Sequence, residues 1–165
     1  MQTATRSMNF PKTFMRSGTE NVPAIAGLGT ACELMKKEFV TANAGMANVR
    51  QYLLNGIRDQ IKDIRINSPE FGAASVLNVS FLGTRGEVIL HTLEADEIYV
   101  STGSACSSNK KGQSHVLTAM GLSNKEIEGA LRFSFSRYNT IEEMDIVLDR
   151  LSAAVGRFRK LGSFR

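Results

Sequence analysis

Cys106 is the residue of this chain best placed for nucleophilic chemistry. It stands in the stretch IYVSTGSACSSN, residues 98–109. The β-branched and aromatic run Ile98, Tyr99, Val100 gives way to Ser101, Thr102, Gly103, Ser104 and Ala105. Only small or polar residues then follow Cys106 as far as Gln113, and that composition predicts a thiol on a loop. Ser107, Ser108, Asn109, Lys110 and Lys111 behind it favour water contact and the thiolate form, the form that attacks electrophiles. Polar flanks permit reactivity without requiring it, so spacing alone leaves a reactive thiol and an ordinary loop cysteine both open. Cys32 differs: Ile25, Leu28, Cys32, Met35 and Phe39 recur at three and four residues, which predicts a helix face with Cys32 in the core.

Four stretches decide between the two readings of Cys106. STGSACSS (101–108), SHVLTAMGLS (114–123), ALRFSFSRYNTIEEMD (130–145) and RSGTENVPAIAGLG (16–29) resemble, in the right order, motifs of the cysteine desulfurases. These belong to the class V aminotransferase group of pyridoxal 5'-phosphate (PLP) enzymes of fold type I. The resemblance runs over nearly the whole chain but over less than half of a typical member, its C-terminal part. It implies an enzyme that converts L-cysteine to L-alanine and passes sulfur through a persulfide on Cys106 to an acceptor protein, such as an iron–sulfur scaffold or a tRNA-thiolation protein. It also implies a homodimer in the cytoplasm.

The resemblance assigns two further residues. Arg132, in LRFS, matches the arginine that grips the substrate α-carboxylate, a task suited to a planar guanidinium with two parallel donors. The bland alternative is a solvated strand arginine. Thr19, in RSGT, matches a threonine that contacts the PLP phosphate of the other subunit, near a helix start where backbone N–H groups favour anions. Its alternative is a plain turn and cap. His115 and His91 read as helix residues rather than bases. The family's Schiff-base lysine lies in a Ser-x-His-Lys context, and no such segment occurs in this sequence. The expectation is therefore a desulfurase portion that is inactive alone. Two other readings are a PLP-independent persulfide carrier using Cys106 and a non-catalytic interaction or dimerisation module.

Length and composition agree with a globular chain. At 165 residues, 42% hydrophobic and 22% charged, one domain is the default and disorder is not expected. No apolar run reaches the length of a membrane span, and the N-terminus lacks the apolar core of a signal peptide. Two cysteines of different character do not form a disulfide framework. The net charge of +4 gathers at the two ends, on Arg6, Lys12 and Arg16 and on Arg157, Arg159, Lys160 and Arg165. GRFRKLGSFR reads as a solvated tail rather than a nucleic-acid surface. No metal site is expected.

The elements that must position these residues follow from periodicity. Residues 1–15 read as a flexible lead, and residues 16–165 as the C-terminal domain. Asn21 caps a helix ending near Phe39; a break at Thr41–Asn43 precedes a second helix carrying Met46, Val49, Leu53, Ile57 and Ile61. Ile64–Ile66 and Val76–Phe81 are strands, and Glu87–Leu93 is a helix after Gly83 and Gly86. Ser114 caps a short helix with Val116, Leu117 and Met120 inward, and Ser123 with Glu126 forms a capping box. Leu131, Phe133 and Phe135 alternate with Arg132, Ser134 and Ser136, which places Arg132 on the face opposite the core. Thr140 and Glu143 open a last long helix bearing Met144, Val147, Leu148, Leu151, Val155 and Phe158. The fold class expected is α+β, a small, mainly antiparallel sheet covered by helices.

Overall fold

The computed structural model describes residues 19–102 and 114–162. The chain divides into two compact units, the first ending at Phe39 and the second beginning at Val40. Helix α1 is Val22–Gln60, so the expected break at Thr41–Asn43 is absent. Thr41, Ala42, Asn43 and Ala44 include no proline, every backbone N–H can enter the i→i−4 ladder, and the weak helix formers among them cost only tenths of a kcal/mol each. Asn21 caps as expected, its Oδ1 accepting the Ala24 N–H at 3.2 Å.

Within the first unit, the stripe read as core is not core. Ile25, Leu28, Met35 and Phe39 are 56%, 64%, 61% and 55% exposed, and Cys32 is a free, exposed cysteine. Among the described residues nothing covers this face. A 3.6-residue period reports that a helix has an apolar side, whereas coverage depends on what packs there.

The second unit is the expected α+β body. Strands β1 (Ile64–Ile66), β2 (Val76–Phe81) and β3 (Ala130–Ser134) make an antiparallel sheet in the order β1-β2-β3. Leu77, Val79 and Phe81 of β2 and Leu131 and Phe133 of β3 point into a core shared with Leu53 and Ile57 of α1. Helix α2 (Gly86–Glu94) adds Ile89 and Leu93, and helix α5 (Ile141–Gly162) adds Leu151 and Val155. Two short helices, α3 (His115–Ala119) and α4 (Asn124–Glu128), lie over a smaller cluster of Leu117, Leu122 and Ala130. Val116 and Met120 were expected inward; they are 56% and 48% exposed, because a five-residue helix offers one inward position per turn and Leu117 takes it.

Three polar side chains complete this frame. Arg50 of α1 is buried and donates from Nε to the Val76 carbonyl and from Nη2 to the Pro69 carbonyl, both at 3.0 Å. It thereby ties the loop before β2 to the helix. Arg159 donates to the Leu82 carbonyl at 2.9 Å and the Asp63 carbonyl at 3.0 Å. The expected solvated tail is therefore helical through Gly162 and anchored at Arg159, whose stem packs while its guanidinium satisfies two turn carbonyls. Asn67 donates to Asn78 Oδ1 at 2.7 Å and to Ser80 Oγ at 2.8 Å, which supplies the fully buried Ser80 hydroxyl with a partner.

Candidate functional site

Arg132 sits in the middle of β3. The two-residue period turns Leu131 and Phe133 into the core and leaves Arg132 exposed on the opposite face, as its sequence predicts. Its register partner on β2 is Asn78. On the other side β3 meets a single residue, Ser101, in an antiparallel bridge. The Ser101 N–H donates to the Arg132 carbonyl at 3.1 Å, and the Arg132 N–H donates to the Ser101 carbonyl at 2.7 Å.

That bridge is the end of a guided path. Helix α2 closes with Glu97 in the left-handed region at φ 60°, which reverses the chain. The Ile98 N–H then returns to the Leu93 carbonyl at 3.0 Å. Ile98 and Val100 pack against the main core, while Tyr99 between them is 77% exposed. The alternation fixes the register in which Ser101 reaches β3. Cys106 lies five positions further on and outside the described residues.

Below this edge is a cavity of about 340 Å³ lined by Leu53, Tyr99, Val100, Phe135, Asn139 and Glu143 among others. Two of its polar side chains engage each other: Asn139 Nδ2 donates to Glu143 Oε2 at 3.0 Å, and the same oxygen accepts the Thr140 N–H at 3.1 Å. Arg132 differs from the framework arginines in having no ion pair or side-chain hydrogen bond among the described residues. Arg65 pairs with Glu126 at 2.7 Å and Arg85 with Glu128 at 2.8 Å. The Arg65 guanidinium, with hydrogen bonds from the Ser123 backbone N–H and hydroxyl, holds the Glu126 carboxyl down at about 2. Among the described residues, then, nothing occupies the Arg132 guanidinium.

The structure brings Arg132 together with the segment leading to Cys106. Thr19 is exposed in the first unit, three positions before α1 begins, and is described within that unit alone. Sequence reasoning missed Ser101 as the residue that fixes the Cys106 segment; its signal was the alternation of Ile98 and Val100 with Tyr99. His91 is exposed and pairs with Glu94 at 3.2 Å, and His115 is the exposed first residue of α3.

A covalent PLP site does not assemble from the described residues alone. Lys36, Lys37, Lys62, Lys125 and Lys160 are all exposed, and none lines the cavity at the Arg132 edge. A lysine that holds such a cofactor must be enclosed with it.

The class V aminotransferase family model matches residues 2–147. The protein named cysteine desulfurase IscS from Methanosarcina thermophila is 41% identical over 146 residues, covering 88% of this chain and 36% of that protein. The protein of the same name from Salmonella paratyphi C is 39% identical over 148 residues, with 89% and 36% covered. Among solved structures, a NifS-like protein superposes with a TM-score of 0.72 at 34% identity, over 85% of this chain and 35% of that one. The NifS-like protein of Rickettsia africae gives 0.72 at 25% identity, over 84% and 36%. The chain thus spans little more than a third of the length of the curated relatives it matches. From a match over most of its length, this chain belongs to the class V aminotransferase family of PLP enzymes.

Proposed function

We propose that this chain is the C-terminal part of a cysteine desulfurase, residues 16–165 forming its small domain, and that Cys106 accepts sulfur from L-cysteine. The observation that carries the reading is the Ser101–Arg132 bridge. It holds the root of the Cys106 segment against the strand that presents an exposed guanidinium. Arg132 orients the substrate by a bidentate grip on its α-carboxylate. The Cys106 thiolate attacks the substrate Sγ; an S–S bond forms as the Cβ–Sγ bond breaks. The electron pair of the broken bond stays with Cβ, which takes a proton, so L-alanine leaves and sulfur remains on Cys106 as a persulfide for an acceptor protein.

PLP supplies the electron sink for the amino acid. Its lysine and most of its contacts come from outside this sequence, with Thr19 contributing a hydroxyl to the phosphate. An exposed Thr19 just before a 39-residue helix supports that contact, since the first N–H groups of a helix lack internal partners. A homodimer, a cytoplasmic setting and a role in iron–sulfur or tRNA-thiolation chemistry belong to the same reading. Alanine release from L-cysteine tests it, with PLP and the portion of the Methanosarcina thermophila relative that the match leaves uncovered. The expected result is turnover with one added sulfur on the Cys106 peptide, lost in Cys106→Ser. Equal turnover by that variant would overturn the assignment, and sulfur loading of Cys106 without PLP or the added portion would favour a persulfide carrier.

A further inference from the structure

Arg132 has a neighbour whose place the sheet register fixes. Asn78 of β2 stands directly across from it. The Asn78 N–H donates to Ser68 Oγ at 2.8 Å and the Asn78 carbonyl accepts the Asn67 N–H at 2.9 Å, both on the β1 side. The Arg132 backbone turns the other way, to Ser101. Neither residue therefore bonds the other through its backbone. They form a non-hydrogen-bonded antiparallel pair, the kind in which side chains on one face come closest, with Cβ atoms about 4.5–5.5 Å apart. The face they share is the one opposite the main core, since the residues on either side of them, Leu77, Val79, Leu131 and Phe133, belong to that core.

The Asn78 amide is oriented from its far side. Asn67 is buried and spends both amide hydrogens inside the fold, one on Asn78 Oδ1 at 2.7 Å and one on Ser80 Oγ at 2.8 Å. With its oxygen turned to Asn67, half-buried Asn78 keeps Nδ2 for another partner, and among the described residues that nitrogen has none. An amide nitrogen with two hydrogens thus stands beside a guanidinium, which carries donors only.

We infer that Asn78 is a second carboxylate-binding residue of the site, donating from Nδ2 to the α-carboxylate that Arg132 holds, and that Asn67 is the positioning residue that sets its orientation. The inference rests on the function proposed above. A carboxylate offers about four lone-pair positions and a bidentate guanidinium fills two of them, so a further N–H donor finds a vacant one. The pair also selects. A carboxamide in place of the carboxylate brings N–H groups of its own to a place that presents only donors, and polar groups left unpaired in a site are what rejects an analogue.

The full chain alone, isotope-labelled for nitrogen NMR, tests this. Sodium acetate is the probe, exchanged for sodium chloride at constant ionic strength. The expected result is saturable shifts of the Asn78 side-chain NH2 and the Arg132 Nε–H with one dissociation constant, and no saturable shift with acetamide. Asn78→Asp keeps an oxygen for Asn67 to donate to and replaces the free donor with an anion that pairs with Arg132. It should weaken acetate binding, read at Arg132, by about tenfold or more, with circular dichroism unchanged. Asn67→Ala changes nothing that touches the ligand, yet it should weaken acetate binding and move the resting Asn78 NH2 resonance, because the amide is released to turn.

An Asn78 NH2 that stays still while Arg132 saturates, an equal response to acetamide, or no saturable shift at either group would each overturn the assignment, and all three are read on the unmodified chain. Equal acetate affinity in a folded Asn78→Asp chain would do the same. The two readings fail separately. Alanine release in the completed mixture, with Asn78 silent to acetate, removes Asn78 and leaves the desulfurase function standing. Paired shifts in a chain whose mixture releases no alanine do the reverse.

Discussion

Ser101 and Arg132 exchange both backbone hydrogen bonds, at 3.1 Å and 2.7 Å, and so join the segment leading to Cys106 to the strand of the exposed arginine. Only the backbone of Arg132 is used in this link. Its side chain has no ion pair or hydrogen bond among the described residues, so the consequences of removing it separate cleanly from folding.

Combined with PLP and the uncovered portion of the Methanosarcina thermophila relative, the Arg132→Ala chain should show kcat/KM lower by roughly 10- to 150-fold if the proposed function holds, the loss of about 1.5–3 kcal/mol for a charge-assisted contact. Arg132→Lys should recover part of this, because an ammonium replaces the charge but not the two-point geometry. The free energy of urea unfolding of either variant should stay within about 0.5 kcal/mol of the parent, as for an exposed position. Unchanged steady-state kinetics would remove the carboxylate role.

Arg50→Met should destabilise the second unit by about 2–4 kcal/mol. The substitution keeps the apolar stem but withdraws the charged donors of a buried guanidinium from the carbonyls of half-buried Val76 and exposed Pro69. Urea unfolding followed by circular dichroism reads the change. A loss below about 0.5 kcal/mol would show that water replaces the guanidinium there.

The sequence was most legible where one local rule decided the outcome. Strands β1 and β2 fall where the predicted runs do, since β-branched alternation ends at Asn67 and after Phe81. The Thr140–Glu143 box is present, with N–H contacts of 3.1 Å and 3.3 Å. Cys32 failed because periodicity names a face without naming its cover. Arg50 was hidden because nothing local distinguishes a buried arginine from a solvated one. The Ser101–Arg132 bridge was hidden because it joins residues distant in sequence, and Cys106 lies outside the described residues.

Gly129→Ala should cost about 1–3 kcal/mol, the range for overpacking a close contact. A Cβ on Gly129 would press into the Phe81 carbonyl, while the Phe81 N–H donates to the Gly129 carbonyl at 2.9 Å. The two backbones cannot part without breaking that bond. A thermal midpoint equal to that of the parent would mean that the C-terminal end of β2 yields more easily than its hydrogen bonding implies.

Cys32 should react with iodoacetamide in the folded chain, without prior unfolding, because its side chain is exposed on α1. Peptide mass spectrometry after native labelling measures this. Modification only after denaturant is added would place Cys32 under a cover that this chain itself supplies.

The Arg65–Glu126 pair gives a pH dependence whose sign can be fixed. Hydrogen bonding to Arg65, then to the Ser123 backbone and hydroxyl, lowers the Glu126 carboxyl from 4.5 to about 2. In the unfolded chain these contacts are gone and the carboxyl binds its proton more readily. Folding is therefore favoured by the ionised form, fully so above about pH 4.5, and the advantage is lost as pH falls toward about 2. Glu126→Gln cannot ionise, so it lacks this contribution at every pH. The difference in melting temperature between parent and variant should be constant from neutral pH to about pH 5, then shrink as acid protonates the parent. Added salt should reduce the difference at neutral pH, since Arg65 is 41% exposed at its side chain and the pair is open to screening. Parallel melting curves down to pH 2 would show that the Ser123 cap alone, which glutamine can imitate, accounts for what Glu126 does.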